Sequence, residues 1–213
     1  MKKKLLTIAL VVALIAIMVS GTLAYFTAED DVTNTFTIGS VEIKVVEVFE
    51  EPEAMIPVVT PDASDPNYVN KDARVKNTGK NAAYVQMYVA IPKAMDDVGA
   101  FVVVDADNGD WTDRTPVGTA EFDDGTYNVY RYRYNAELAP GAETSDAITA
   151  AYLAPELDYD HDTGLFVMNG NVIENYTPGE KIEIYVAAQA IQADGFNDYD
   201  SALNNFTTHP WAN

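Results

Sequence analysis

The chain contains no cysteine, only two histidines, and 13 basic residues against 33 acidic ones. Without cysteine there is no disulfide framework and no thiolate chemistry. His161 and His209 alone leave a catalytic zinc short of the three protein ligands it needs, and no His-Glu-x-x-His pattern occurs. A formal net charge of -20 at pH 7 excludes nucleic acid as a partner, because phosphate binding requires clustered lysine and arginine. None of Ser20, Ser40, Ser64, Ser145 and Ser201 lies in a Gly-x-Ser-x-Gly context, and there is no glycine-rich phosphate loop. Carboxylates are so abundant that a pair for glycoside hydrolysis carries no signal. There is no internal repeat and no linker long enough to divide two domains. The chain is therefore read as non-enzymatic, and its acidity as a means of staying soluble and apart from its neighbours.

What is present begins at the N-terminus. Lys2, Lys3 and Lys4 precede an uncharged apolar run over residues 5–19, and Thr22 and Ala24 supply a small-x-small pattern. This is the layout of an export signal over residues 1–24, cut between Ala24 and Tyr25. The run is shorter than the roughly 20 residues that span a bilayer, so no permanent membrane anchor is expected. The alternative is an uncleaved anchor, since Leu23, Tyr25 and Phe26 extend the apolarity. Cleavage places the working protein outside the cytoplasm, secreted or at the cell surface.

Residues 25–40 form a separate N-terminal segment in which Tyr25, Phe26, Val32, Phe36 and Ile38 are apolar or aromatic around an acidic Glu29-Asp30-Asp31. Two readings fit: a first strand that pairs within its own sheet, or a donor strand that completes the sheet of the next copy. The second gives a head-to-tail contact that does not close, and hence a filament.

Residues 41–213 read as one β domain. Residues 41–49 alternate, with a phase break at Val45-Val46 that suggests a bulge. Residues 50–66 carry four prolines and read as a loop or irregular edge. Residues 74–76 begin a strand turned by Asn77-Thr78-Gly79. Residues 82–91 form a long strand with Val85, Met87, Val89 and Ile91 on one side and Tyr84, Gln86 and Tyr88 on the other. Shorter strands are expected at 101–104 and 147–153. Asp123-Asp124-Gly125 and Asn169-Gly170 signal hairpins. Residues 127–134 and 181–191 complete the strands, and 201–206 can form a helical turn. Short strands at this spacing predict an all-β, two-sheet sandwich.

The segments Gly21-Thr22-Leu23-Ala24-Tyr25-Phe26-Thr27 and Asn34-Thr35-Phe36-Thr37-Ile38-Gly39 resemble the start of the TasA and camelysin family of exported proteins. Further resemblance lies in Val75-Lys76-Asn77-Thr78-Gly79, in Leu138-Ala139-Pro140-Gly141, and in residues 187–195. The resemblance implies processing by a SipW-type signal peptidase and a jelly-roll sandwich. It also implies polymerisation with copies of itself into cell-surface or biofilm-matrix fibres, and it favours the donor-strand reading. The alternative function is a monomeric adhesion or ligand-binding sandwich. A camelysin-like metalloprotease is disfavoured by the shortage of ligands.

No cofactor is expected. Calcium has one candidate site, because Asp158, Asp160 and Asp162 occupy alternate positions before Gly164 and offer hard oxygen ligands. The glycine comes one residue late for an EF-hand loop, and Asn169 stands where a bidentate glutamate belongs. Asp105, Asp107 and Asp110 around Gly109 make a weaker case. Both stretches also read as polar turns. Tyr130, Tyr132 and Tyr134 share one strand face and suggest either a sugar-binding surface or an internal aromatic ladder.

Overall fold

The computed structural model describes residues 41–49, 52, 55–177, 179 and 181–212. The expected signal peptide, its cut between Ala24 and Tyr25, and the donor-strand residues Tyr25, Phe26, Val32, Phe36 and Ile38 lie outside the described residues.

In chain order the strands are β1 (Ile43–Phe49), β2 (Val69–Asn77), β3 (Ala83–Pro92), β4 (Phe101–Asp105), β5 (Thr115–Phe122), β6 (Gly125–Arg133), β7 (Ile148–Leu153), β8 (Leu157–Asp160), β9 (Leu165–Met168), β10 (Asn171–Ile173) and β11 (Tyr185–Gln192). Two short helices, α1 (Lys93–Asp96) and α2 (Tyr199–Leu203), accompany them. The strands form three antiparallel sheets, ordered β1-β2-β7-β4, β11-β3-β6-β5 and β10-β9-β8. The first two are the layers of the expected all-β sandwich. The third is a small addition whose Leu157, Phe166, Met168 and Ile173 join the main core.

β3 organises the second sheet. Its Val85, Met87, Val89 and Ile91 face the first sheet and meet Val75, Phe101, Ile148 and Leu153 in the core. Successive side chains of a strand point to opposite faces, so Tyr84, Tyr88 and Ala90 turn outward. That face is not wet. Ala202 and Leu203 of α2 cover Tyr84, and Trp211 packs with Tyr88, Tyr127 and Val129. All ten residues of β3 are consequently buried. Each buried Val, Ile or Met side chain contributes about 1.5–3 kcal/mol relative to exposure.

The turns obey local chemistry. Asn169 and Gly170 both take positive φ, 52° and 80°, and join β9 to β10. Asp123 and Asp124 link β5 to β6, with Gly125 at φ 142° opposite Phe122. Asn77 is fully buried; its side chain donates to the carbonyls of Asn81 and Leu138 and accepts from the Gly79 amide.

Two expectations need correction. β1 pairs with β2 in unbroken register from Ile43↔Asn77 to Phe49↔Lys71, so Val45-Val46 is no bulge. Both valines are half-buried because β1 is an edge strand, paired on one side only among the described residues. The register shift lies instead between Asn70 and Ala73, in the β2–β7 pairing. The last strand is also shorter than residues 181–191. β11 begins at Tyr185, opposite Ala90, and two residues earlier Glu183 would face Pro92. Proline has no N–H to offer a ladder, and the pairing ends there.

Candidate functional site

The early end of β11 leaves a gap in the second sheet. Residues 181–184 alternate exposed and half-buried, with Ile182 and Ile184 packed against the core, but they belong to no ladder among the described residues. Beneath them lies a groove of about 450 Å³. Its floor is formed by Phe101, Ala151, Leu153 and Phe166, all less than 10 % exposed, so it opens directly onto the hydrophobic core. The rim carries Phe49 from the end of β1 and Lys71 from β2. Phe49 is 49 % exposed, and its neighbour Val48 is 46 % exposed. The edges of β1 and β11 that face away from β2 and β3 are both unpaired among the described residues.

Electrostatics at the rim are local and specific. Lys71 is only 7 % exposed; its ammonium donates to Glu47 at 2.6 Å and lies 4.8 Å from the centre of the Phe49 ring. Lys181 and Glu183 also line the groove, and the Tyr185 hydroxyl donates to Glu183.

The residues singled out from sequence for metal or sugar chemistry are scattered into structural roles. Asp158 and Asp160 lie in β8, not in a loop, and the turn from β8 to β9 follows. The Asp160 carboxylate accepts from the Asp162 amide and the Thr163 hydroxyl, and the first of these bonds is the main cause of its lowered pKa. Among the described residues, no three His, Asp or Glu side chains come together as a metal site. Asp105 accepts from the Tyr132 hydroxyl and faces Arg114 at 3.7 Å. His161 packs edge-on against Tyr159, whereas His209 packs beside Tyr88 and Trp211 on the second sheet.

Tyr130, Tyr132 and Tyr134 are no sugar platform. Tyr132 is 1 % exposed within the core, with Tyr130 and Tyr134 packed against it. Burial, then the hydrogen bond to Asp96, pushes Tyr130 up to about 12. Burial likewise raises Tyr132, which donates to Asp105 at 2.6 Å.

No known protein-family model matches this chain, and no curated protein sequence matches it. Among the described residues no helix is long and apolar enough to cross a membrane.

Proposed function

We propose that this chain is a secreted, non-enzymatic structural subunit that assembles head-to-tail into cell-surface or matrix fibres, each copy lending its N-terminal strand to the next. One observation carries the reading: strand edges of β1 and β11 that are unpaired among the described residues stand beside an apolar groove that opens onto the core. Exposed edges are a hazard that proteins normally blunt, and a core left open at one end is a site for apolar side chains. An incoming strand supplies both backbone partners for the edge and side chains for the groove. The export signal over residues 1–24 and the resemblance to TasA-like and camelysin-like proteins point the same way, as does the absence of any catalytic constellation in the sequence.

In this reading a SipW-type peptidase frees Tyr25 as the new N-terminus, and the sandwich is of the jelly-roll type. Light scattering of the chain from Tyr25 onward tests it. Particle size grows with protein concentration if subunits polymerise. A monomer of constant size over the same range, with the fold intact by circular dichroism, overturns the proposal.

A further inference from the structure

The geometry points to a phosphate-binding site on the outer face of the second sheet, where Arg131 and Arg133 would hold the oxyanion and Gln86 would accept its remaining proton. The site is separate from the groove beside β1, and the inference does not depend on assembly.

The residues form a block in the β3–β6 ladder. Arg131 stands opposite Tyr88, and Arg133 opposite Gln86. Alternate residues of a strand share a face, so both guanidinium groups emerge on the side where Gln86 and Tyr88 emerge. The Gln86 amide donates to the Tyr88 hydroxyl at 2.7 Å and to the Gln189 side chain at 2.9 Å. The chain after β11 closes over this face. Arg133 donates to Asp200 and to Asn204, both at 2.8 Å, and Gln189 donates to the Thr208 carbonyl. The His209 ring then lies 6.5 Å from that of Tyr88.

Polar groups without partners converge here. Four side-chain atoms are buried with no hydrogen-bond partner among the described residues. Three of them, Gln86 Oε1, Arg133 Nε and His209 Nδ1, belong to this face. Gln86 is fully buried, and the Arg133 side chain is 11 % exposed. The two are direct cross-strand neighbours, yet this acceptor and this donor do not bond to each other. Arg131 makes no hydrogen bond or ion pair among the described residues; burial, then the neighbouring Arg133 charge, works against its cation. Asp200 is the one carboxylate that acts on it, and Asp200 is already bonded to Arg133. Buried polar groups are nearly always satisfied, so such a cluster marks a place where a ligand completes the bonding.

The donor set selects the ligand. Guanidinium forks match oxyanions with paired N–H bonds. A side-chain amide oxygen only accepts, so the ligand must also bring a proton. Carboxylate and sulfate carry none at neutral pH. A phosphate with a second pKa of about 6 brings both features when bound with one proton.

Binding of inorganic phosphate to residues 25–213, measured by isothermal titration calorimetry at neutral pH and fixed ionic strength, tests the site. One phosphate per chain is expected, with sulfate at least tenfold weaker. Arg131→Gln lowers phosphate affinity at least tenfold. Lys80→Gln removes the same charge from an exposed lysine and stays within twofold of the parent. Arg131→Lys keeps the charge, loses the fork and falls between the two; circular dichroism checks that each variant folds. No saturable phosphate binding overturns the site. Equal affinities for Arg131→Gln and Lys80→Gln overturn Arg131 as its ligand, and sulfate bound as tightly as phosphate overturns the role of Gln86. Methyl phosphate separates two sources of the same chemistry. Binding tighter than inorganic phosphate assigns a phosphate carried on a larger molecule, weaker binding assigns the free ion, and either result sustains the site.

Discussion

Lys71 and Glu47 sit diagonally across the β1–β2 ladder, with the Lys71 ammonium 2.6 Å from the Glu47 carboxylate. A nearly buried lysine is held at the groove's rim by one partner that is itself 39 % exposed. Glu47→Gln should lower stability by about 1 kcal/mol, well short of the roughly 3–5 kcal/mol for breaking a fully buried pair, because water screens the exposed side. Lys71→Met should be close to neutral, since an apolar side chain of similar shape leaves nothing buried and unpaired. Urea unfolding of the two variants checks both; equal losses would show that the ion pair itself, not the orphaned ammonium, governs the cost.

The buried tyrosines give the fold an alkaline limit. Tyr130 is raised to about 12, and Tyr127 and Tyr132 are raised further, chiefly by burial. A raised tyrosine pKa means that the folded state favours the neutral form. That stabilisation is complete below the ordinary value near 10 and is lost as pH rises through the folded value. Unfolding free energy should therefore fall steadily above pH 10. In a spectroscopic titration these three tyrosines should ionise later than exposed ones. A single transition near 10 for every tyrosine would contradict the burial.

Leu203 is fully buried against Tyr84, Ala193 and Ala202 on the outer side of the second sheet. Leu203→Ala should cost about 2–5 kcal/mol through lost burial and the cavity left behind. A loss below 1 kcal/mol in chemical denaturation would mean that α2 is not integral to the domain.

Asn77 closes the turn after β2 with three side-chain hydrogen bonds to backbone groups. Asn77→Ala removes all three bonds; the Leu138 carbonyl keeps the Ala83 amide and the Gly79 amide keeps the Glu42 carbonyl, so the loss falls mainly on the Asn81 carbonyl and should cost about 1–2 kcal/mol. Thermal unfolding measures the shift, and Lys80→Ala on the neighbouring surface serves as the neutral comparison.

Strand positions were legible wherever alternation or turn chemistry acts locally. β3 was readable from Val85, Met87, Val89 and Ile91, and the β9–β10 hairpin from Asn169-Gly170. The cover on the far side of β3 was not, because Leu203 and Trp211 come from more than 100 residues away in a stretch with little periodicity. β8 escaped notice because Asp158-Tyr159-Asp160 has the composition of a polar turn. The groove was invisible for a related reason. It lies where β11 stops pairing with β3 at Tyr185↔Ala90, a register that only the folded sheet defines. Asp158 and Asp160 share one face of β8, as alternate residues of a strand do, whereas Asp162 lies in the turn beyond it and its amide donates to Asp160.

Negative-stain electron microscopy of residues 25–213, beside the same chain lacking residues 25–36, tests the central claim most directly. The account predicts regular filaments for the first and folded monomers for the second. Filaments of the same form from both proteins would contradict it, because assembly would then owe nothing to the N-terminal strand.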